Sequence, residues 1–205
     1  MNLMKKLILL QESTLKKTVK KLIYIILILS CFSSDSIAKE KWILDKKISE
    51  ITFEVPVLFA TNVMGTFNIF DGYVEIDTLD QKNNKAILSV KIDSLEMNYK
   101  KYKNLILSDI FFNSNKYPIG LIDTKKFSYS NEEKLNLDIE LTIKGTTKVV
   151  NTELLVIKLT NDLVQIKSEL KFSRKDFNIG TGNWENTTFL KDKIKIISNL
   201  FLFKE

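Results

Sequence analysis

Apolar and polar residues alternate along most of the chain from Trp42 onward. The clearest case is KLNLDIELTI, residues 134–143, in which leucine or isoleucine occupies every second position. The same alternation occurs in EITFEV (50–55), AILSVKID (86–93), LVQIKSELKFS (163–173) and KIKIISNLFLF (193–203). A period of two is typical of β-strands that bury one face. The pattern therefore predicts a fold built mainly of strands.

Helix-like spacing is limited to NYKKYKNLILSDIFFNSN, residues 98–115. Seven or eight half-polar strands over about 165 residues predict an all-β fold, either a sandwich or a closed antiparallel barrel. The sequence shows no internal repeat, proline-rich linker or low-complexity block that would divide these strands. We therefore expect one domain.

The stretch LTIKGTTKVV, residues 141–150, has two opposing interpretations. A glycine among lysines and threonines is reminiscent of a phosphate-binding loop, but that motif requires G-x-x-x-x-G-K-[ST] between a strand and a helix. Here one glycine separates two alternating segments, which favours a hairpin turn at Gly145. We then expect Leu141 and Ile143 to face the interior, and Lys144 and Lys148 to face solvent.

The basic excess is concentrated at the N-terminus. Residues 1–38 contain six lysines and two carboxylates, whereas the other 167 residues contain 25 basic and 23 acidic groups. This distribution argues against nucleic acid as a partner. The lysines precede the apolar run LIYIILILSCF and a Ser-x-Ala exit, so residues 1–38 are predicted to be a secretory signal and residues 39–205 the mature domain.

Three alternatives stay open for this segment. It could be an uncleaved membrane anchor, although the apolar run is short for a span. It could be lipidated at Cys31, for which Leu29 fits the required motif poorly. Translation could also start later than Met1. Cleavage before Lys39 would place the protein in the periplasm.

The mature chain lacks the residues that most catalytic and metal sites use. Histidine is absent and Cys31 is the one cysteine, so His- or Cys-based triads and zinc sites are excluded. Paired carboxylates could still act as acid and base, but Asp123, Asp138, Glu140 and Glu169 lie in the polar phase of strands. We therefore predict no catalytic residues, no metal and no cofactor.

Aromatic residues are numerous: 13 Phe, 6 Tyr and 2 Trp. In a sandwich or solid barrel they would fill the core, whereas in a barrel of about eight strands they could line a ligand cavity. Periodicity does not separate these two cases. If a cavity exists, we expect its lining to come from ten residues: Phe53, Val55, Phe67, Phe111, Phe112, Leu141, Ile143, Phe172, Phe177 and Trp184.

Several segments together carry a family resemblance. In order along the chain they are WILDKKISEITFEVP (42–56), VMGTFNIFDGYVEID (63–77), DSLEMNYKKYKNLILSDIFFNSNKYP (93–118), LTIKGTTKVV (141–150) and FSRKDFNIG (172–180). The chain from Trp42 to its C-terminus resembles the YceI-like, lipocalin-like polyisoprenoid-binding family through these segments. Two features depart from the family pattern: Glu50 stands where a histidine is usual, and no Arg-Asp pair precedes Ile106.

The resemblance implies an extended eight-stranded antiparallel lipocalin-like barrel with a short helical insertion. It further implies a periplasmic carrier whose interior holds an isoprenoid lipid non-covalently, through a polyprenyl or quinone tail. Transient contact with a membrane or membrane protein is compatible with that role, and the oligomeric state is open, a dimer included. The alternatives are a non-catalytic envelope interaction module with a filled barrel and an enzyme that uses carboxylates.

Overall fold

The computed structural model describes Lys20 and residues 39–56, 62–188 and 190–205. All of these except Lys20 belong to one compact unit, Ala38–Glu205. The predicted signal segment, residues 1–38, lies outside the described residues apart from Lys20, so it stays a prediction.

Eleven strands occur in the described residues, and all their pairings are antiparallel. They are β1 Lys39–Leu44, β2 Glu50–Val55, β3 Val63–Phe67, β4 Phe70–Asp77, β5 Lys85–Lys91, β6 Leu95–Met97, β7 Ile119–Asp123, β8 Lys134–Ile143, β9 Thr146–Lys158, β10 Leu163–Ser173 and β11 Lys193–Lys204.

Eight strands close a ring in the order β1-β4-β5-β7-β8-β9-β10-β11, because β11 pairs with β1 as well as with β10. The other three extend members of the ring: β2 follows β1, β3 precedes β4, and β6 follows β5 after short breaks. Each of these pairs forms one bent strand, so the barrel has eight strands in all. The predicted all-β, eight-stranded antiparallel barrel is confirmed.

The break between β1 and β2 has a local cause. The Asp45 carboxylate accepts hydrogen bonds from the backbone N–H groups of Lys47 at 2.8 Å and Ile48 at 3.4 Å. This Asx-type turn lifts the chain out of the sheet. A hydrogen bond to β11 is kept within the break, because the Phe201 N–H donates to the Ser49 hydroxyl at 2.8 Å. The strand therefore bends without losing its place beside β11.

The two ends of the barrel differ. At the first, which we call the closed end, the ring is complete and the connections are turns at residues 78–84, 124–133 and 159–162. At the second, the open end, the strand order β10-β11-β2-β3-β6 leaves the ring incomplete. Residues 98–118 and 174–192 meet across this opening, since the Gly180 N–H donates to the Ile110 carbonyl at 2.9 Å.

Residues 98–118 form the predicted helical insertion. A 3-10 turn, Lys100–Tyr102, leads directly into the short helix α1, Lys103–Leu107. The α1 helix ends where the Ser108 side chain turns back to donate to the Leu105 carbonyl at 2.7 Å. The insertion is therefore confirmed, with regular α-helix over only five of its residues.

The interior follows the predicted alternation. In β8 the side chains of Leu137, Ile139, Leu141 and Ile143 are all buried, while the residues between them are exposed or half-buried. Full burial of each such side chain contributes about 1.5–3 kcal/mol to folding. The period-two pattern thus correctly indicated which face of β8 points inward.

The segment at residues 141–150 is a hairpin. Lys144 and Gly145 alone connect the pair Ile143 and Thr146, with positive φ values of 51° and 73°. Two consecutive left-handed residues define a type I′ turn, which suits the twist of paired strands. A side chain at Gly145 would also collide with the Tyr117 ring, because its Cβ would lie 2.5 Å from a ring carbon. The phosphate-loop interpretation is therefore excluded.

Candidate functional site

The barrel interior contains a cavity of about 160 Å³, which we call cavity 1. Leucine, isoleucine, valine and phenylalanine from nearly every strand form most of its wall. No charged side chain of the described residues lines it. Such a space excludes ions and favours hydrocarbon.

A second space of about 330 Å³, cavity 2, lies at the open end. Its wall combines the ends of β2 and β3 with the helical insertion and the loop 174–192. Cavities 1 and 2 share the lining residues Phe53, Phe112 and Ile194. The two cavities therefore adjoin each other at these three side chains.

Nine of the ten candidate lining residues border one of these spaces. Phe53 and Phe112 border both, and the others divide between cavity 1 (Phe67, Leu141, Ile143, Phe172) and cavity 2 (Val55, Phe111, Trp184). The structure therefore gives the positions of these side chains relative to the two cavities. Contact with a ligand stays a prediction for each of them.

Phe177 borders neither cavity. Its side chain is fully buried, and its ring packs edge-on against Phe172, with 5.1 Å between ring centroids. The sequence places Phe177 in the apolar phase, but it belongs to a 3-10 turn, Arg174–Phe177, behind the wall. Phe177 therefore helps to hold the Phe172 ring in position through this packing contact.

Arg174 is a lining residue of cavity 2 that the alternation pattern does not identify. Its side chain is 1% exposed and has no carboxylate within ion-pairing distance among the described residues. Burial lowers the pKa of its guanidinium below the usual range. A buried cation of this kind needs other groups to solvate it.

Backbone carbonyls supply that solvation. Arg174 Nη1 donates to the carbonyls of Ile179 at 2.9 Å and Gly180 at 3.0 Å. Nη2 and Nε donate to four further carbonyls: Trp184 at 2.7 Å, Glu185 at 3.3 Å, Leu190 at 3.1 Å and Lys191 at 3.2 Å. All five N–H groups are thereby used. These hydrogen bonds hold the loop 174–192 in place, and the loop forms one wall of cavity 2.

Lys144 corrects a sequence prediction. Lys148 is exposed, as expected, but Lys144 is half-buried. Its Nζ donates to the Asn178 carbonyl at 2.8 Å and to the Ile110 carbonyl at 3.4 Å, and burial lowers its pKa. The prediction of a solvent-facing Lys144 is wrong because the loop and the insertion cover the hairpin turn. Strand periodicity carries no information about such a cover.

The rim of cavity 2 is aromatic and basic. Tyr99 and Tyr102 pack against each other with 6.3 Å between ring centroids, and the Lys101 ammonium lies 5.0 Å from the Tyr102 ring centre. Trp184 packs on Phe111 at 5.6 Å and is still 37% exposed. The half-buried Tyr99, the exposed Tyr102 and the exposed Trp184 thus line the opening.

The open end also carries the larger positive charge. Residues 98–118 and 174–192 together contain seven basic residues and four carboxylates, whereas the three turns of the closed end contain three lysines and four carboxylates. No lysine of the insertion forms an ion pair with a carboxylate of the described residues. Among the described residues, the loops of the open end therefore carry more net positive charge than the turns of the closed end.

Within the part of the chain that the structure describes, no cluster of three or more metal-ligating side chains occurs. Over the same residues, no helix has the length and apolar character needed to cross a membrane.

Comparison with known proteins agrees with this architecture. A family model described as the YceI-like domain matches residues 42–201. Protein YceI of Shigella flexneri is 27% identical over 157 residues, which cover 73% of this chain and 82% of that protein.

Two solved structures share the fold. BcnA of Burkholderia cenocepacia matches with a TM-score of 0.70 and 22% identity, over 77% of this chain and 98% of the other. A polyisoprenoid-binding domain from Saccharophagus degradans, implicated in plant cell wall breakdown, matches with a TM-score of 0.63 and 16% identity, over 80% and 98%. Because the family model matches residues 42–201, which is most of the sequence, this chain belongs to the YceI-like domain family.

Proposed function

We propose that this protein is a non-catalytic carrier that holds a long-chain isoprenoid lipid, through a polyprenyl or quinone tail, inside the barrel. One observation carries the proposal: two adjoining spaces, one wholly uncharged and both mainly apolar, run from the barrel interior to the open end. Membership of the YceI-like family and the fold shared with a polyisoprenoid-binding domain support the same class of ligand.

Hydrophobic burial alone can supply the affinity. If each ligand heavy atom contributes about 0.3 kcal/mol, a five-carbon isoprene unit adds roughly 1.5 kcal/mol, or about tenfold in affinity. Several units would give a stable complex without any charged contact. Such a ligand suits a site whose inner part has no charged lining.

The test is extraction of the purified protein with organic solvent, followed by mass spectrometry of the extract. We expect one isoprenoid lipid per protein molecule, and about tenfold tighter binding for each added isoprene unit in a series of synthetic tails. A protein that carries no lipid and does not bind the series would overturn the proposal and favour an interaction module.

A pair of variants controls for folding. Leu141→Trp places a larger side chain in cavity 1, where Leu141 is 3% exposed, whereas Val149→Trp adds the same side chain at a position that is 68% exposed. We expect only the first to lose the lipid. Leu141→Phe is a milder filling variant if the tryptophan prevents folding.

The basic, aromatic rim favours an anionic bilayer as the place of loading. Tyrosine and tryptophan partition to the interface between lipid and water, and each lysine near an anionic surface contributes about 1 kcal/mol. Lys101, Tyr102 and Trp184 line cavity 2, and Lys100 and Lys103 are close neighbours of Lys101 in the sequence. Docking there would bring cavity 2 against the membrane.

Sedimentation with vesicles tests this docking. We expect binding to vesicles that contain phosphatidylglycerol and little binding to phosphatidylcholine alone. Changing Lys100 and Lys101 together to Gln should weaken binding about 30-fold, following the figure of about 1 kcal/mol per lysine. The matched double variant at the closed end, Lys82→Gln with Lys126→Gln, should bind like the wild type. Equal loss in both variants would contradict docking by the open end.

The proposed location is the periplasm, on the basis of the N-terminal signal pattern. Fractionation and N-terminal sequencing of the secreted form test it, with Lys39 as the expected first residue. Intact mass would reveal lipidation at Cys31 instead. Light scattering of the same material would determine whether the protein is a monomer or a dimer.

A further inference from the structure

Five residues with a hydroxyl group line cavity 1, and three of them lie on the neighbouring strands β9, β10 and β11. These three are Thr152, Ser168 and Ser198, and we call them the hydroxyl patch. Thr152 is 5% exposed and Ser198 is 8% exposed. Thr124 also borders the cavity, but its hydroxyl already accepts a hydrogen bond from the Ala86 N–H at 2.8 Å. Tyr73 is half-buried, and the Lys41 ammonium lies 5.9 Å from its ring centre. The hydroxyl patch differs from these two residues because its three hydroxyls lie on neighbouring strands.

The hydrogen bonds of the patch are incomplete. Thr152 Oγ1 is buried and has no partner among the described residues. Ser168 and Ser198 share one hydrogen bond between their hydroxyls, and either can donate it. Since two hydroxyls carry two protons and the shared bond uses one, the other has no acceptor among the described residues. Buried hydroxyls without a partner are unfavourable, so the patch offers two unused donors to the cavity.

These donors are close enough to reach one group. Ser168 lies directly opposite Ser198 on one side and Leu154 on the other. Thr152 precedes Leu154 by two residues, so it lies on the same inward face and diagonally across from Ser168. Diagonal neighbours in a sheet are separated by about 7–8 Å. When Ser198 donates the shared hydrogen bond, the free proton is on Ser168, and an oxygen atom of a ligand placed between Thr152 and Ser168 can accept from both.

The cavity also limits what that group can be. No charged side chain of the described residues borders cavity 1, so an ionised phosphate or carboxylate there would lack a counter-ion. A neutral carbonyl oxygen has two lone pairs and can accept both free protons. It gains two hydrogen bonds without bringing a charge into the barrel.

We propose that the hydroxyl patch binds a neutral carbonyl group of the lipid, which enters the barrel head first with its isoprenoid tail trailing toward cavity 2. This inference rests on the proposed carrier function and narrows it, because it favours a quinone-like lipid over a phosphate-headed polyprenol. A lipid bound tail first would leave the hydroxyls of the patch unsatisfied.

The experiment compares two probes on delipidated protein. One is a quinone with a six-isoprene tail, and the other is squalene, an isoprenoid hydrocarbon with the same number of isoprene units as that tail. Both are titrated against the same environment-sensitive dye. Thr152→Val keeps the shape of the side chain and removes its hydroxyl. We expect about fivefold weaker binding of the quinone, equal to the loss of one neutral hydrogen bond, and less than a twofold change for squalene.

Matched variants complete the design. Thr147→Val makes the same substitution at an exposed position of β9 and should change neither affinity. Ser168→Ala with Ser198→Ala removes the other free donor and should again weaken only the quinone. This double variant provides the comparison if Thr152→Val does not fold.

The outcomes separate the two proposals. If the wild type binds both probes and the patch variants change both affinities equally, or neither, the carbonyl assignment is overturned and the carrier function stands. A water molecule that satisfies the patch in the empty and the loaded protein would produce that result. If the wild type binds neither probe, the carrier function and the carbonyl assignment both fail.

Discussion

Replacement of Arg174 by methionine should destabilise the protein by about 3 kcal/mol. Methionine preserves much of the aliphatic stem but removes five N–H donors from six backbone carbonyls. Two of those carbonyls, on Ile179 and Gly180, belong to buried residues that water does not reach readily. Each buried acceptor that loses its partner costs about 1–3 kcal/mol.

Two effects reduce that loss. The other four carbonyls belong to exposed or half-buried residues, so water can replace the guanidinium there. Methionine also removes a desolvated cation, whose burial is reflected in the lowered pKa of Arg174. The net loss of stability is therefore closer to the cost of leaving two carbonyls without a donor than to the cost of leaving six. Arg174→Lys retains three donors, and we expect it to lose about half as much stability.

Urea unfolding, followed by tryptophan fluorescence, measures this change. The midpoint should fall while the slope m stays constant, because the surface exposed on unfolding is unchanged. Hydrogen exchange should speed up in residues 174–192 and not at the closed end. A stability within about 0.5 kcal/mol of wild type, or uniform loss of protection, would refute the role assigned to Arg174.

Three further outcomes are expected. Gly65→Ala should cost about 1–3 kcal/mol in thermal unfolding, because its Cβ would overlap the Phe53 ring. Asp77→Asn should make the free energy of unfolding less dependent on pH in the acid range. The Asp77 carboxylate accepts a hydrogen bond from the Asn83 side chain, which is the chief reason that its pKa is lowered from 3.8, so its contribution is present above pH 3.8 and is lost as the pH falls through the folded-state pKa. Lys144→Met should cost about 0.5–1 kcal/mol in urea unfolding, through loss of its hydrogen bonds to backbone carbonyls.

Each of these has a matched control. Gly120→Ala introduces a carbon no closer than 3.4 Å to its neighbours and should be tolerated. Asp162→Asn makes the same substitution at an exposed carboxylate of the closed end and is the matched control for Asp77→Asn. Lys148→Met removes an exposed lysine and should have no measurable effect. A control that changes as much as its partner would contradict the corresponding explanation.

The sequence predicted the barrel well because strand periodicity records which face of each strand is buried. The positions of Leu141 and Ile143 followed from alternation alone, and the turn at Gly145 followed from the two segments on either side of it. Closure into eight strands did not follow from alternation, which fits a sandwich equally well. That choice depended on the family resemblance.

The site was predicted less completely, for a physical reason. Alternation indicates that a side chain points inward but does not reveal whether it meets another side chain or an empty space. The positions of Arg174 and Lys144 depend on the loop 174–192, whose path is set by hydrogen bonds to carbonyls and not by a repeating pattern. Phe177 lies in the same loop. It was included in the predicted cavity lining because strand alternation does not reveal the path of this loop.

The pairing of β11 has a consequence for how the chain folds. This strand pairs with β10, β1 and β2, and its contacts with β1 and β2 span about 150 residues of sequence. A chain synthesised as far as Ser173 therefore has no partner with which to close the ring. Contacts of such long range also make folding slow. We expect the polypeptide to stay unfolded until β11 has been made, which is the state in which a chain can be threaded through a secretion channel.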